Sequence, residues 1–442
     1  MLISVSGSGH NDINADGAEL AEMQRHATVR PRVLYIVYWG AGEPLGQSLV
    51  LPAVKRLSGL GVDLTLITFE KPADLDRQEY IKEIRVGLEK NGVKWIPLRY
   101  HKRPRIPATL FDVMHGLTRS LALRLRGRFD IVHARTFIGG LMGLLIAPLI
   151  GAKLIYHNEG FYPDEQVDGG FWRAGSRPHR VAKRLEGTMY SSADAIIALS
   201  HRARREIEQL AVVRHRNTPV VVVQSCVDLR LFSRPVGARS GVVRLVYSGS
   251  VGGRYILNRV GRFIAIAKGQ LGALQFQVLS PASPALVSTM LRDGGLKDGD
   301  WTIDSVPYRS MPERLAQADA GLFFLARGLS EHGCSPTKIG EYWAMGLPVI
   351  TTPNVSDIDE IVERERVGVI VQGHSDEDYA RAVTELTPLL ADPELAQRCR
   401  RAAEEHYSLE SACSRQYELY LRIMSNKTTP KEIVERGSQE AA

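Results

Sequence analysis

The segment CSPTKIGEYWAMGLPVITT, residues 334–352, holds a lysine and a glutamate three residues apart near a predicted helix start. Ser335 is typical of a helix N-cap, Pro336 of the first helical position and Gly346 of a C-terminal stop. The pattern therefore predicts a helix of about ten residues, followed by the strand LPVITT. Any chemistry of the charged pair would take place at the N-terminal end of that helix.

The first turn of this helix is predicted to bind an anion. Free amide groups and the positive end of the helix dipole form a natural phosphate site there. Lys338 opposes the dipole, which is favourable only if a bound phosphate is its partner. The carboxylate of Glu341 can accept hydrogen bonds from the two hydroxyl groups of a ribose. The plain structural alternative is an ion pair between the two residues, worth about 0.3 kcal/mol.

Glycine-rich turns follow two predicted strands. SGSVGGRY offers Gly249, Gly252 and Gly253, which allow the backbone to approach a pyrophosphate closely, or which form a plain strand-to-helix turn. YWGAGEPLGQ nearly fits the dinucleotide fingerprint, with its last spacing one residue too long, and Glu70 ends the next strand. A nicotinamide-dependent oxidoreductase therefore stays open as an alternative.

The elements that must position these residues alternate between apolar strands and helices. This alternation predicts an α/β chain with two doubly wound Rossmann-like domains and a cleft between them. In the 442-residue chain we expect the following segments. They are a disordered tail at 1–30, an N-terminal domain at 31–230, a linker at 231–240, a C-terminal domain at 241–405, a helix packing back on the N-terminal domain at 406–425, and a loose tail at 426–442.

Composition excludes several classes. The net charge of +7 suits an anionic substrate or an acidic membrane surface, but no aromatic-interleaved basic motif indicates nucleic acid. The four cysteines have no zinc spacing, which is typical of reduced thiols in a cytoplasmic protein. Four Asp-x-Asp triplets are predicted to lie on the surface, so we expect no metal. The apolar run at 137–157 is broken by glycines and predicts a buried helix and strand.

Polar residues at strand ends are candidates for a second substrate. His133 and Arg135 follow one predicted strand, and His157 and Glu159 follow the next. Strand-end groups facing a cleft can bind an acceptor or handle a proton, although a lone histidine there is more often structural. Basic residues collect at 102–128. They are interpreted as a solvated face, or as a patch for anionic lipid or a lipid-linked diphosphate.

Several of these segments together resemble the GT-B glycosyltransferases, in particular the retaining family-4 enzymes. The resemblance rests on SPTKIGEYWAMGLPVITT, RLVYSGSVGG, VVVVQSCVDLRLF, FDIVHARTFIGGLMG, HNEGFYPDEQVDGGFW and AKRLEGTMYSSADAIIALS, in the expected order from about residue 30 onward. One difference stands out, because the first acid of the usual Glu-x7-Glu pair is replaced by Gly333.

The resemblance implies a donor site in the C-terminal domain and an acceptor site in the N-terminal domain. Lys338, Arg254 and Glu341 would be catalytic, acting on a UDP- or GDP-linked sugar without a metal or other cofactor. The donor would also contact Gly249, Gly252, Gly253, Ser335, Pro336, Thr337 and Val306. The acceptor side would comprise Gly46, His133, Arg135, His157 and Glu159.

The implied reaction is transfer of a sugar to a hydroxyl of a saccharide or lipid-linked acceptor with retention, in polysaccharide, glycolipid or other glycoconjugate synthesis. The resemblance fits a cytoplasmic protein, with the inner face of a membrane as a further possible place of action. A sugar-nucleotide epimerase of the same two-lobe fold is the main alternative, and a non-catalytic two-lobe binding protein is another.

Overall fold

The computed structural model describes residues 30–233, 241–328 and 330–425. It confirms the predicted fold class, because two parallel sheets, each with helices, follow one another along the chain. The predicted N-terminal tail up to residue 29, the linker residues 234–240 and the C-terminal tail at 426–442 lie outside the described residues. We refer to the two units as the N-terminal and C-terminal lobes.

The N-terminal lobe is built on seven parallel strands. They are β1 (Arg32–Val37), β2 (Asp63–Glu70), β3 (Lys94–Arg99), β4 (Ile131–Arg135), β5 (Lys153–His157), β6 (Ala195–Ala198) and β7 (Val220–Val222). Their order in the sheet is β3-β2-β1-β4-β5-β6-β7, so the chain winds outward in both directions from β1 and β4. Central strands such as β4 are buried along their whole length because helices cover both faces.

The C-terminal lobe repeats this arrangement with six strands. They are β8 (Val243–Ser248), β9 (Leu274–Leu279), β10 (Trp301–Asp304), β11 (Ala320–Phe323), β12 (Val349–Thr351) and β13 (Gly368–Ile370). Their order is β10-β9-β8-β11-β12-β13, and every pair is parallel. The alternation of strands and helices in both lobes is the one predicted from the sequence.

Helices connect successive strands in both lobes. In the N-terminal lobe they are α1 (Leu51–Gly59), preceded by a π-helical turn (Gly46–Val50), α2 (Pro72–Leu75), α3 (Gln78–Glu89), α4 (Arg105–Arg124), α5 (Phe137–Ile150), α6 (Tyr162–Asp168), α7 (Arg177–Ser192), α8 (His201–Gln209) and α9 (Ala211–Arg216). In the C-terminal lobe they are α10 (Leu257–Leu271), α11 (Pro284–Asp293), α12 (Met311–Leu315), α13 (Thr337–Ala344), α14 (Ile358–Glu365), α15 (Asp376–Ala391) and α16 (Leu395–His406). Short 3-10 turns cover Tyr308–Ser310 and Glu331–Gly333.

The last described helix, α17 (Leu409–Met424), returns to the N-terminal lobe. Its buried residues Cys413, Tyr417 and Tyr420 share a hydrophobic cluster with Tyr35 of β1 and Val54 of α1. The chain thus crosses between the lobes twice. The crossings pair with each other, since the N–H of Val227 donates to Tyr407 O at 2.8 Å and the N–H of Leu409 donates to Val227 O at 3.2 Å. This pairing fixes the two lobes at their common edge.

One aspartate of the Asp-x-Asp triplets is not on the surface, so that part of the prediction was wrong. Asp357 is buried and accepts hydrogen bonds from the N–H groups of His201 at 2.7 Å and Arg202 at 3.0 Å. These amides open α8 in the other lobe, where the helix dipole favours a carboxylate. Asp357 therefore joins the two lobes.

Candidate active site between the lobes

Helix α13 begins one residue later than predicted, and its cap differs. Pro336 is the N-cap, whereas the prediction gave that role to Ser335. The hydroxyl of Ser335 is used elsewhere, because it accepts the N–H of Ser225 from the N-terminal lobe at 3.1 Å. The N–H of Ile339 donates to Pro336 O at 3.2 Å, whereas the N–H groups of Thr337 and Lys338 have no partner among the described residues. Gly346 follows the helix at a φ of 70°, as expected for a C-terminal stop.

Lys338 in the first turn of α13 has an unusual environment. The residue is 6% exposed, and its ammonium Nζ has no hydrogen-bond partner among the described residues. The ammonium lies over three aromatic rings, 4.4 Å from the centroid of Tyr255, 4.8 Å from Tyr247 and 5.3 Å from Phe323. Burial lowers the pKa of Lys338 to about 7, although Glu341 opposes this shift. Such a cation lacks the anion that buried charges normally need.

Glu341 does not supply that anion. In the described structure the two side chains form no hydrogen bond, and Tyr308 is a second polar neighbour of Glu341. Burial raises the pKa of Glu341 to about 7, while Lys338 and Tyr308 lower it. The simple ion-pair alternative therefore does not describe this helix. Val306, expected beside a nucleotide base, lies half-buried in the same loop as Tyr308 but does not line the cavity described below.

The glycine turn after β8 lies next to Lys338. Gly249, Gly252 and Gly253 all have positive φ, which only glycine adopts readily. At Gly249 a Cβ would fall 2.9 Å from the Lys338 ammonium, so a side chain there would collide with it. The N–H of Gly249 is already bound to Leu279 O at 2.8 Å, which leaves it unavailable to a ligand. None of the three glycines lines the cavity itself.

Arg254, which ends this turn, does line the cavity. Its guanidinium donates to Ser330 Oγ at 2.7 Å and to Glu165 Oε1 at 3.2 Å. Burial lowers the pKa of Arg254, but Glu165 and other neighbours raise it by more, so the guanidinium stays charged. Ser330 in turn donates to Asp168 Oδ2 at 2.6 Å. Because Glu165 and Asp168 belong to α6, this network joins the N-terminal lobe to the C-terminal loops.

A cavity of about 460 Å³ opens between the lobes at this point. Its C-terminal wall holds Arg254, Tyr255 and the segment from Cys334 to Lys338. Its N-terminal wall is rich in aromatic and charged side chains, namely Tyr38, Trp39, Tyr100, Lys102, Arg105, Phe137, Glu159, Tyr162 and Glu165. Concave sites with aromatic walls and a few convergent polar groups are typical of small-ligand binding.

The predicted acceptor residues are placed unequally around this cavity. Glu159 lines it, whereas His133, Arg135 and His157 lie behind the wall and are buried. His133 Nδ1 is 2.7 Å from the hydroxyl of Tyr420 in α17, and His133 Nε2 is 3.0 Å from His157 Nδ1. Burial lowers the pKa of both histidines well below the usual value, so both are neutral. Neither histidine reaches the cavity to bind an acceptor directly.

Arg135 is buried behind the N-terminal wall and contacts side chains that line the cavity. Its guanidinium is 3% exposed and forms a short ion pair with Glu159. It also lies 3.4 Å from the hydroxyl of Tyr35 and 5.8 Å from the ring centroid of Trp39. Trp39 and Glu159 both line the cavity, so Arg135 holds two of the lining side chains in place.

The glycine-rich turn after β1, residues 38–47, is packed closely against itself. A Cβ at Gly46 would fall 2.1 Å from Gly40 O, so glycine is required there for packing, and the residue does not line the cavity. Glu70 is buried and accepts hydrogen bonds from the N–H groups of Ala41 at 2.7 Å and Gly42 at 3.2 Å. The carboxylate that a nicotinamide dinucleotide would need for its ribose thus closes the loop instead.

Two residues of the site had no assigned role in the sequence analysis. Tyr255 follows the glycine turn, lines the cavity and lies closest to the Lys338 ammonium. Tyr308 lies beside Glu341 and lowers the pKa of its carboxyl group. The only sequence signal was position, because both tyrosines stand in or just after a loop at the carboxyl end of a C-terminal-lobe strand.

Comparisons with known proteins identify the family. The model of the glycosyl transferase 4-like domain matches residues 47–224, and that of glycosyl transferases group 1 matches residues 254–388. A D-inositol 3-phosphate glycosyltransferase of Streptomyces avermitilis is 24% identical over 411 residues, covering 87% of this chain and 84% of the relative.

Solved structures show the same fold. Sucrose-phosphate synthase from Thermosynechococcus elongatus has a TM-score of 0.64 at 15% identity, covering 90% of this chain and all of that one. Anabaena HepE in complex with UDP and glucose has a TM-score of 0.63 at 13% identity, covering 88% and 99%. The two family models together span more than half of the 442 residues. The chain is therefore an enzyme of the GT-B glycosyltransferases, of the family-4 type.

Proposed function

We propose that this enzyme transfers a sugar from a UDP- or GDP-linked donor to a hydroxyl of a saccharide or lipid-linked acceptor, with retention at the anomeric carbon. The observation that carries the proposal is the Lys338 ammonium, which is buried beside the open first turn of α13 without a polar partner. A diphosphate in the cavity would supply the missing anion. UDP is the first choice because HepE, which shares the fold, was solved with UDP and glucose.

The chemical task of the site is to stabilise a leaving nucleotide diphosphate. Lys338 and Arg254 both line the cavity and would place two cations on the phosphoryl oxygens in surroundings with little water. The open amide at the start of α13 would add a neutral donor. In retention without a protein nucleophile, the leaving phosphate itself takes the proton of the acceptor hydroxyl.

Glu341 is proposed to accept hydrogen bonds from the donor ribose. Its carboxyl group lies beside Tyr308, which follows Val306 closely in the chain. Residue 333 is a glycine that packs against Phe161, since a Cβ there would fall 2.8 Å from the ring of that residue. The donor sugar therefore has no acidic side chain at position 333 to bind.

The acceptor is proposed to enter between the aromatic side chains of the N-terminal wall. Tyr38, Trp39 and Tyr100 offer apolar faces for a sugar ring, and Glu159 offers a hydroxyl acceptor. Lys102 and Arg105 at one edge would favour an acceptor that carries an anionic group. Synthesis of a polysaccharide, glycolipid or other glycoconjugate next to an anionic membrane surface fits these properties.

Calorimetric titration of UDP and GDP tests the donor site. We expect Lys338→Ala to weaken nucleotide binding about 10- to 100-fold, because it removes a charge-assisted contact. Lys268→Ala is the matched control, since Lys268 pairs with Asp300 in the same lobe and does not line the cavity. Equal affinities in the Lys338 variant and the wild type would contradict the proposed phosphate site.

A further inference from the structure

Helix α4 carries an apolar surface that nothing in the described structure covers. Ile106, Leu110, Met114, Leu121 and Leu125 are all exposed, from 40% at Leu121 to 89% at Leu125. Their spacing of four and seven residues places them on one side of the helix. Phe111 beside them is exposed as well. A soluble surface rarely shows this many large apolar side chains together, and such patches mark interaction sites.

The helix α5, which packs against α4, also carries exposed apolar side chains. Its residues Leu145 and Leu149 are exposed one turn apart. The two helices pack tightly, since a Cβ on Gly116 of α4 would fall 2.9 Å from Met142 Sδ of α5. We call the exposed apolar side chains of α4 together with these two leucines the α4–α5 face.

The charge around α4 has a single sign. Seven basic residues stand at its ends and along it, Lys102, Arg103, Arg105, Arg119, Arg124, Arg126 and Arg128. In the part of the chain that the structure describes, none of them forms an ion pair with a carboxylate. Asp112, the only acidic residue between 100 and 129, is buried against the Tyr38 hydroxyl at 2.7 Å and His101 Nδ1 at 2.6 Å. Its charge is therefore not presented on the surface.

An apolar stripe flanked by unpaired cations is the pattern of a helix that lies in the interface of an anionic bilayer. A second copy of this chain is a poorer occupant, because it would bring the same seven cations against their counterparts. Among the described residues, no helix is both long and apolar enough to cross a bilayer. The apolar side of α4 and the cations that flank it are the features suited to binding at a bilayer surface.

The start of α4 also belongs to the cavity between the lobes. Arg105 and Thr109 line that cavity, while Ile106 and Leu110, their neighbours along the helix, belong to the exposed face. The cavity entrance thus lies at the edge of the α4–α5 face. An acceptor embedded in a bilayer could reach the cavity with its polar end while its apolar part stays among the lipids.

We propose that the α4–α5 face binds the surface of an anionic lipid bilayer and that the enzyme thereby takes a lipid-linked acceptor at the cavity entrance beside Arg105. The second half of this proposal rests on the proposed function, whereas the first half does not. Membrane binding is therefore measured directly, without any transfer reaction.

Co-sedimentation with vesicles tests the surface. Vesicles of phosphatidylcholine alone are compared with vesicles that contain about 30 mol% phosphatidylglycerol, at about 0.1 M salt. We expect the wild type to bind the anionic vesicles. The double variant Leu110→Ser with Met114→Ser should bind at least about tenfold less, because two apolar side chains no longer enter the lipid. Arg119→Glu with Arg126→Glu should lose at least a similar factor and should show a weaker dependence on salt.

Matched controls come from the C-terminal lobe. Leu286→Ser changes a leucine that is 48% exposed on α11, and Arg381→Glu changes an exposed arginine on α15. Both should bind vesicles like the wild type. UDP titration on every variant shows that the fold and the donor site are retained, which separates a failure of the membrane surface from a failure of the donor site.

Three results would overturn the proposal. One is a wild type that does not sediment with anionic vesicles, and another is equal binding by the α4 variants and the controls. The third is a wild-type dimer in light scattering that the Leu110 and Met114 substitutions convert to a monomer, because the face would then be an interface between copies.

Discussion

The two walls of the cavity differ in whether their buried charges have a partner. On the N-terminal side, Arg135 is paired with Glu159, and His133 is held between Tyr420 and His157. On the C-terminal side, the Lys338 ammonium meets only aromatic rings. A wall whose buried cation is paired with a carboxylate needs no ligand to balance that charge. A buried cation without a partner lowers the stability of the folded protein unless an anion binds to it. Such a destabilising group is a usual sign of a binding function.

Breaking the internal pair of the N-terminal wall should have the largest effect. Arg135→Met leaves Glu159 without its counter-charge in a largely buried position, and we expect the free energy of unfolding to fall by about 3 to 5 kcal/mol. Arg32→Met is the matched control, because the Arg32–Asp130 pair is partly exposed and should cost about 0 to 1 kcal/mol. Urea denaturation measures both. Equal losses in the two variants would show that the walls do not differ in this way.

Removing the buried cation of the C-terminal wall should raise the free energy of unfolding instead of lowering it. Lys338→Met replaces a buried, unpartnered ammonium by an apolar side chain, so we expect the ligand-free protein to gain about 1 to 3 kcal/mol. The pKa of Lys338 is lowered from 10.5 to about 7, so the native protein bears the full cost of the charge below pH 7. That cost declines as the pH rises toward 10.5. The gain should therefore be larger at pH 6 than at pH 9, and a loss of stability at pH 6 would contradict the account.

The contact between the walls should give a smaller effect. Glu165 of α6 accepts a hydrogen bond from Arg254 at 3.2 Å and would compete with a donor phosphate for that guanidinium. Glu165→Gln removes the competing charge, and we expect UDP to bind about two- to tenfold more tightly. Asp164→Asn on the same helix is the control, because Asp164 contacts Lys183 and His179 instead. Weaker UDP binding in the Glu165 variant would mean that this carboxylate supports the donor rather than opposing it.

Local sequence was sufficient to predict the sheets. The central strands, such as β4, are short apolar runs between helices, and such runs show that both faces of the sheet are covered. The N-terminal end of α13 was also predictable to within one residue, because proline and glycine mark its limits.

The pairing and burial of individual side chains could not be predicted, because they depend on contacts with residues far away in the sequence. Lys338 and Glu341 have the spacing of an ion pair, but the Lys338 ammonium lies against rings from other segments, among them Tyr255, and Glu341 lies beside Tyr308. His133 stands at a strand end like a cleft residue, but Tyr420, 287 positions away, contacts it from α17. The sequence pattern around His133 cannot show this contact, because it does not show where α17 packs.

The central claim is that the Lys338 ammonium receives the donor diphosphate. Calorimetry of UDP binding at about pH 8, in buffers of different ionisation enthalpy, measures the protons exchanged on binding. With a pKa of about 7, Lys338 is mostly neutral in the free enzyme at that pH, and a bound diphosphate favours its charged form. We predict uptake of close to one proton per UDP in the wild type and none in Lys338→Met. Binding without proton uptake by the wild type, or equal uptake by both proteins, would contradict the account.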